Sequence, residues 1–258
     1  MKNKSAKQLY NEYRIKFALL AVAYAVVLAL VLGVMKTNML LGIAIIVMLA
    51  VSLRAVFEGL REKTLEVVIF EDLDPEKFNE LVELGAFKKA HRLRILGAIS
   101  AGDYDKAFAI IAETEGNSKN PLEKANNIYR KGYVYFEKRE FSKLPAVVAE
   151  FEALKRAPGN VPQMFANFTV FDKYDAFADE DYQYVVDVCE QDLRLVSRKA
   201  QNHKITKLNV SFYRAVSLYM MGELDAAREA FEEIVAFAPK MHKATLSRRY
   251  LEEIAEKN

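Results

Sequence analysis

The chain has 258 residues, 52% of them apolar, with only 10 glycines and 6 prolines, so helix formers dominate and collagen-like, low-complexity and turn-rich classes are excluded. One cysteine, Cys189, and three scattered histidines exclude a secreted disulfide scaffold and a dense metal site. The net charge of +2 hides a division: residues 1–16 hold five Lys/Arg against one Glu, residues 17–53 only Lys36, and residues 54–258 hold 31 basic against 34 acidic side chains, without the cationic surplus that nucleic-acid binding needs.

Residues 1–16 read as a basic cytoplasmic N-terminus. From Phe17 to Met35 the chain runs FALLAVAYAVVLALVLGVM, 19 residues without a charge, which as a helix rises about 28 Å and nearly spans a hydrocarbon core of about 30 Å. After Lys36-Thr37-Asn38, Met39–Leu53 reads MLLGIAIIVMLAVSL, and Ala55, Val56 and Phe57 extend it past a snorkelling Arg54. The short break makes the segments antiparallel neighbours, so residues 17–57 are predicted to form a transmembrane helical hairpin. Lys2, Lys4, Lys7, Arg14 and Lys16 precede it and Arg54, Arg61 and Lys63 follow, against Lys36 alone in the loop. That bias places both termini on the cytoplasmic side of the cell (inner, plasma) membrane. A cleaved signal peptide shares the basic start, but the run is long, no small-x-small site directly precedes Lys36, and a second span follows at once.

Ala21, Ala25, Ala29 and Gly33 recur every four residues, with Gly42 and Ala50 as a looser counterpart on the second helix. Such a stripe lets a second backbone approach closely. It fits either a homodimer interface or packing within the hairpin, and tethering favours the latter. No Asp, Glu, His or Arg lies mid-membrane, so an ion or proton pathway has no chemical support.

Residues 58–87 read as a juxtamembrane linker. The β-branched stretch TLEVVIF leaves residues 58–74 open between helix and extended chain. Asp74-Pro75-Glu76 then starts a short helix, with Asp74 as N-cap, Phe78, Leu81 and Val82 on its apolar face, and Gly85 as its stop.

Over 88–258 a local pattern recurs: Gly102-Asp103-Tyr104-Asp105-Lys106-Ala107, Arg139-Glu140-Phe141-Ser142-Lys143-Leu144 and Gly222-Glu223-Leu224-Asp225-Ala226-Ala227. Each lies between helical patterns, with Asp105, Ser142 and Asp225 as candidate N-caps before an amphipathic run. These are helix hairpins, and residues 161–200 hold a further pair without the signature. With Ala215, Gly222, Ala227, Phe231 and Pro239 in the last unit, Gly132, Tyr135 and Pro158 in the middle one and Gly102, Ala107 and Pro121 in the first, the chain resembles the tetratricopeptide repeat family. Leu144 and Ile95 stand where that pattern has small residues, so the units are degenerate. The resemblance implies an all-α chain, the hairpin followed by a TPR-like α-solenoid of stacked helix pairs, with the run after Pro239 as its capping helix.

Carried over by resemblance, a concave groove takes Tyr129, Tyr133 and Phe136 from the middle unit and Phe212, Tyr213, Val216 and Tyr219 from the last, with Arg92 beside them. Such a groove suits a protein or peptide partner; the bland alternative is that most of these side chains are buried between helices. No phosphate-binding loop, nucleophile elbow, zinc helix or paired C-x-x-C occurs, so no catalytic residue, cofactor or metal is expected. Cys189 shares a helical face with Val185 and Val186 and reads as core. Asp179, Glu180 and Asp181 read as helix capping rather than metal ligands. Asn167-Phe168-Thr169 and Asn209-Val210-Ser211 match glycosylation sequons that idle in the cytoplasm. The expectation is a non-enzymatic membrane-anchored scaffold or adaptor whose partners are the lipid bilayer and a protein or peptide. The alternative is an accessory or assembly subunit of a membrane transport complex, with the hairpin forming homodimers.

Overall fold

A computed structural model of the protein describes residues 4–85, 87, 91–115, 120–196 and 203–257, and among these residues it contains helices and no strand. The chain divides into two units, Met1–Leu93 and Arg94–Asn258.

In the first unit, α1 covers Ala6–Met35 and α2 Met39–Glu66. Both are long and apolar enough to cross a membrane. Asn38 caps α2 by accepting from the Leu41 N–H at 3.1 Å. Leu19, Leu30, Leu40 and Val51 are among many large apolar side chains left exposed along the pair. Cover within the hairpin falls on Leu20, Tyr24, Val31 and Met35 of α1 and Gly42, Ile45, Leu49 and Leu53 of α2. That spacing of threes, fours and sevens is the seam of two antiparallel helices.

The basic segment is not a free tail. α1 begins at Ala6, and Leu9 and Tyr13, one turn apart, are buried. They pack towards α3 (Pro75–Val82), whose Phe78, Leu81 and Val82 are buried, and the Tyr13 and Phe87 rings lie 4.7 Å apart. Residues 58–74, open in the sequence, are largely helical: α2 runs on to Glu66 and continues as a π-helical turn, Val67–Glu71, that buries Val68 and Ile69. Burial against α3 overrides the strand propensity of VVIF. Asp74 caps α3 as expected, accepting from Lys77 N–H at 3.1 Å, and Gly85 takes a left-handed φ of 48°.

The second unit is a run of helix hairpins: α4 (His91–Ala101) with α5 (Tyr104–Glu115), α6 (Pro121–Glu137) with α7 (Leu144–Arg156), α8 (Val170–Ala178) with α9 (Tyr182–Val196), and α10 (His203–Met221) with α11 (Leu224–Phe237). α12 (His242–Lys257) closes the chain. All four hairpin turns have one conformation. Gly102, Arg139, Glu180 and Gly222 have φ of 79°, 59°, 59° and 83°. In each, the next N–H reaches back to a carbonyl five residues earlier, as Asp103 does to Ala98 and Asp181 to Ala176, the Schellman arrangement. Two of the four turns therefore hold a side chain where glycine is the relaxed choice. For Arg139 the compensation is visible: its guanidinium lies 3.7 Å from the Tyr250 ring centroid and bonds Glu253 at 2.6 Å.

The helix starts differ from the expected caps. Asp103, not Asp105, accepts from the Lys106 N–H. α7 begins at Leu144 after a short 3-10 turn, Phe141–Lys143, and α11 begins at Leu224, so Ser142 and Asp225 are not caps. Gly132 sits where a Cβ would come within 2.6 Å of the Tyr174 ring and 3.0 Å of Val147. Only glycine allows α6, α7 and α8 to approach this closely.

Candidate functional site

The residues assigned to a concave groove meet two fates. Tyr133, Phe136, Phe212, Tyr213 and Val216 are buried, and Tyr129 and Tyr219 are half-buried. The Arg92 side chain lies outside the described residues. Phe136 is a hub of the core, with the rings of Tyr213 at 4.5 Å, Phe177 at 4.9 Å and Phe141 at 5.4 Å. A partner cannot reach it in this conformation, which corrects its placement on an open surface.

α12 covers part of this set: it meets Tyr133, Phe212 and Tyr219, whereas Phe136 and Tyr213 are covered by Tyr174 of α8 and by each other. Expected only to close the end of the stack, it does stack Tyr250 on Phe231 of α11, centroids 4.6 Å apart. It also turns a second face to α6 and α10. Lys243 is buried, its ammonium bonded to the equally buried Glu137 carboxylate and lying 4.1 Å from the Tyr133 centroid and 4.8 Å from that of Phe212. The Tyr104 hydroxyl donates to the other Glu137 oxygen at 2.9 Å. At the far end of α12, Glu253 accepts from the Tyr219 hydroxyl at 2.7 Å and from Arg139. Burial holds the Lys243 ammonium below its ordinary value, against the opposing pull of Glu137. A helix without a groove signature thus meets three of the residues assigned to the groove, Tyr133, Phe212 and Tyr219, through Lys243, Tyr250 and Glu253.

What remains open is a cavity of about 370 Å3 among α6, α8 and α10. Asn126 and Tyr129 of α6, Lys173 of α8, and Thr206, Asn209 and Tyr213 of α10 line it. On α10 these fall at i, i+3 and i+7, one face of a helix. The structure thus brings together Tyr129 and Tyr213 from the expected groove and adds amides and hydroxyls that aromatic spacing did not flag. Asn209 Oδ1 accepts from the Tyr133 hydroxyl at 2.6 Å, and the Tyr174 and Tyr213 hydroxyls lie 3.0 Å apart. Lys173 is buried and neutralised by Asp192 at 2.9 Å. Burial pushes the Tyr129 hydroxyl up to about 12, so it enters as a neutral donor and acceptor. A wall of amides, hydroxyls and rings with one paired cation suits hydrogen bonding to an uncharged polar chain.

The other singled-out residues are structural. Cys189 is buried, and desolvation raises its thiol to about 12, far from a reactive thiolate. Asp181 caps α9 by accepting from the Tyr184 N–H at 3.2 Å. The described residues contain no His, Cys, Asp and Glu group able to hold a metal ion. The stripe on α1 turns mostly away from α2: Ala21 is half-buried, but Ala25, Ala29 and Gly33 are exposed, and a Cβ on Gly33 would meet nothing within 4 Å. Gly42 alone serves the hairpin, since a Cβ there would collide with Met35.

Compared with known proteins, the chain matches no family model, no curated protein and no solved structure.

Proposed function

We propose that this protein is a membrane-anchored scaffold: the hairpin α1–α2 spans the cell membrane with both termini in the cytoplasm, and a degenerate TPR-like stack binds a polypeptide segment in the cavity among α6, α8 and α10, without catalysis. The observation that carries the reading is the exposed apolar belt on one unit together with, in the other unit, an open, amide-lined cavity. In water such a belt is untenable for a monomer. Its lower edge is marked by the Phe17 and Phe57 rings, stacked 4.1 Å apart. Arg54, a turn further into the belt, turns its guanidinium back to Glu58 at 3.0 Å, the snorkelling expected at a hydrocarbon boundary. From Phe17 to Met35 the helix rises about 28 Å, close to the thickness to be crossed.

The test has two arms. A C-terminal tag should be protected from protease in intact spheroplasts and cleaved after permeabilisation; cleavage from outside would reverse the orientation. Full-length protein solubilised from membranes should retain a partner that Tyr129→Ala with Asn126→Ala weakens at least tenfold, and an unchanged partner would remove the cavity from the reading.

A second reading is favoured by the outward-facing stripe. Ala25, Ala29 and Gly33 present a close-approach surface that the hairpin leaves uncovered, as an assembly subunit of a membrane complex would. Cross-linking in bilayers should then give a dimer that Ala25→Leu with Ala29→Leu abolishes. A monomer before and after substitution rejects it.

A further inference from the structure

A second cavity, of about 290 Å3, lies beside α7 and α8 and shares Phe168 and Thr169 with the first. Its floor is aromatic: Phe151, Phe165 and Phe171 are buried, Phe168 is half-buried, and the Phe151 ring stacks on Phe171 at 3.8 Å. Its rim carries three carboxylates, Glu152, Asp172 and Asp175, against one cation, Lys155. Glu152 is satisfied by its own helix, pairing with Lys155 at 2.6 Å and Arg156 at 3.7 Å. Asp172 and Asp175 are not: they stand one turn apart on α8, exposed, and neither carboxylate has an ion pair or hydrogen bond among the described residues. Like charges at this spacing repel. Asp172 gains from the start of α8, but Asp175 lies beyond the first turn. Lys173, between them in sequence, turns to Asp192 instead, and Lys155, the one cation in the lining, is engaged by Glu152. The floor already tolerates one: Lys155 Nζ lies 5.5 Å from the Phe151 centroid.

We infer that this cavity receives the side chain of a lysine or arginine carried by the polypeptide bound next door, an inference that rests on the peptide-binding reading above. An anion would be repelled by the rim, and an apolar group would leave both carboxylates unpaired. The three acids do not form a group able to hold a metal ion. A long aliphatic stem ending in a cation satisfies both parts of the site: the methylenes lie on the phenylalanines, and the head pairs with Asp172 and Asp175. Phe168 and Thr169 wall both cavities, so a segment seated against Tyr129 and Asn209 has the second cavity as its neighbour.

The probe is Nα-acetyl-lysine N-methylamide, titrated into the full chain in non-ionic micelles with isotope-labelled phenylalanine, beside the uncharged norleucine analogue. The lysine probe is expected to shift the Phe151, Phe165 and Phe168 ring signals, more weakly as salt is raised, and the norleucine analogue is expected to leave them in place. Asp172→Asn with Asp175→Asn should weaken the lysine effect at least tenfold while the remaining spectrum is unchanged. Equal shifts from both probes, or silence with lysine, overturn the inference. If capture still responds to Tyr129→Ala while the lysine probe is silent, only the cationic subsite fails. If the lysine probe binds but membranes yield no partner, it is the peptide-binding reading that fails, and the inferred source of the side chain with it.

Discussion

Replacing Lys243 by methionine is expected to destabilise the helical unit by about 3–5 kcal/mol, because it leaves the Glu137 carboxylate buried with only the Tyr104 hydroxyl for a partner. The loss should appear as a lower urea midpoint with little change in slope, followed by proteolysis of the full chain in micelles. Replacing both partners, Lys243→Met with Glu137→Leu, should recover much of it, since two apolar groups of similar volume avoid the desolvation that the pair carries. A single variant as stable as the wild type would mean that α12 does not hold its lysine inside the unit.

Acid should loosen the same end of α12. His242 lies edge-on to Tyr104, centroids 5.5 Å apart; burial first, with Lys243 and Arg249 helping and Glu137 opposing, holds its imidazole below the ordinary 6.5. Between the lowered value and 6.5 the unfolded chain binds the proton and the folded chain does not. Stability therefore rises with pH across that window and falls on acidification, and His242→Gln should flatten this slope.

Phe136→Ala is expected to cost about 3–5 kcal/mol, the range for emptying an aromatic site in a packed core, because Phe141, Phe177 and Tyr213 all pack on that ring. The same urea series reads it. Tyr129→Ala should cost about 1 kcal/mol or less in stability, as a half-buried side chain on a cavity wall, and act mainly on partner capture. A Phe136→Ala protein that stays folded yet loses its partner would return that residue to an accessible groove.

Features that depend on near neighbours in the chain were legible. Uncharged runs over 17–35 and 39–53 give helices whatever surrounds them, and Asp74-Pro75 starts α3 because cap and first turn lie within four residues. Gly102 and Gly222 marked their turns, since glycine is the relaxed residue at positive φ. The same turn at Glu180 was illegible, because nothing in Asp179-Glu180-Asp181 announces a left-handed residue. Arg139 could be placed only by its likeness to the glycine turns, and what holds it there, Tyr250 and Glu253, lies more than a hundred residues away.

The candidate site divides along the same line. Aromatic spacing found Tyr129 and Tyr213, which do share a cavity wall, but it could not separate them from Tyr133 and Phe136, which do not line that cavity. The outcome depends on what packs against those faces: Phe141, Phe177 and Tyr213 cover Phe136, and α12 covers Tyr133 with a lysine that pairs with Glu137, 106 residues away in sequence. By itself the sequence determined helix content, the two apolar spans and most of the hairpins, because helical periodicity, caps and turn residues act over a few positions. Only the tertiary structure decided that residues 6–16 join a core with α3, that the small-residue stripe faces outward, and that the last helix packs on Tyr133, Phe212 and Tyr219. Each of these turns on which of several equally apolar surfaces meet, and that is settled by packing between distant segments rather than by propensity within one.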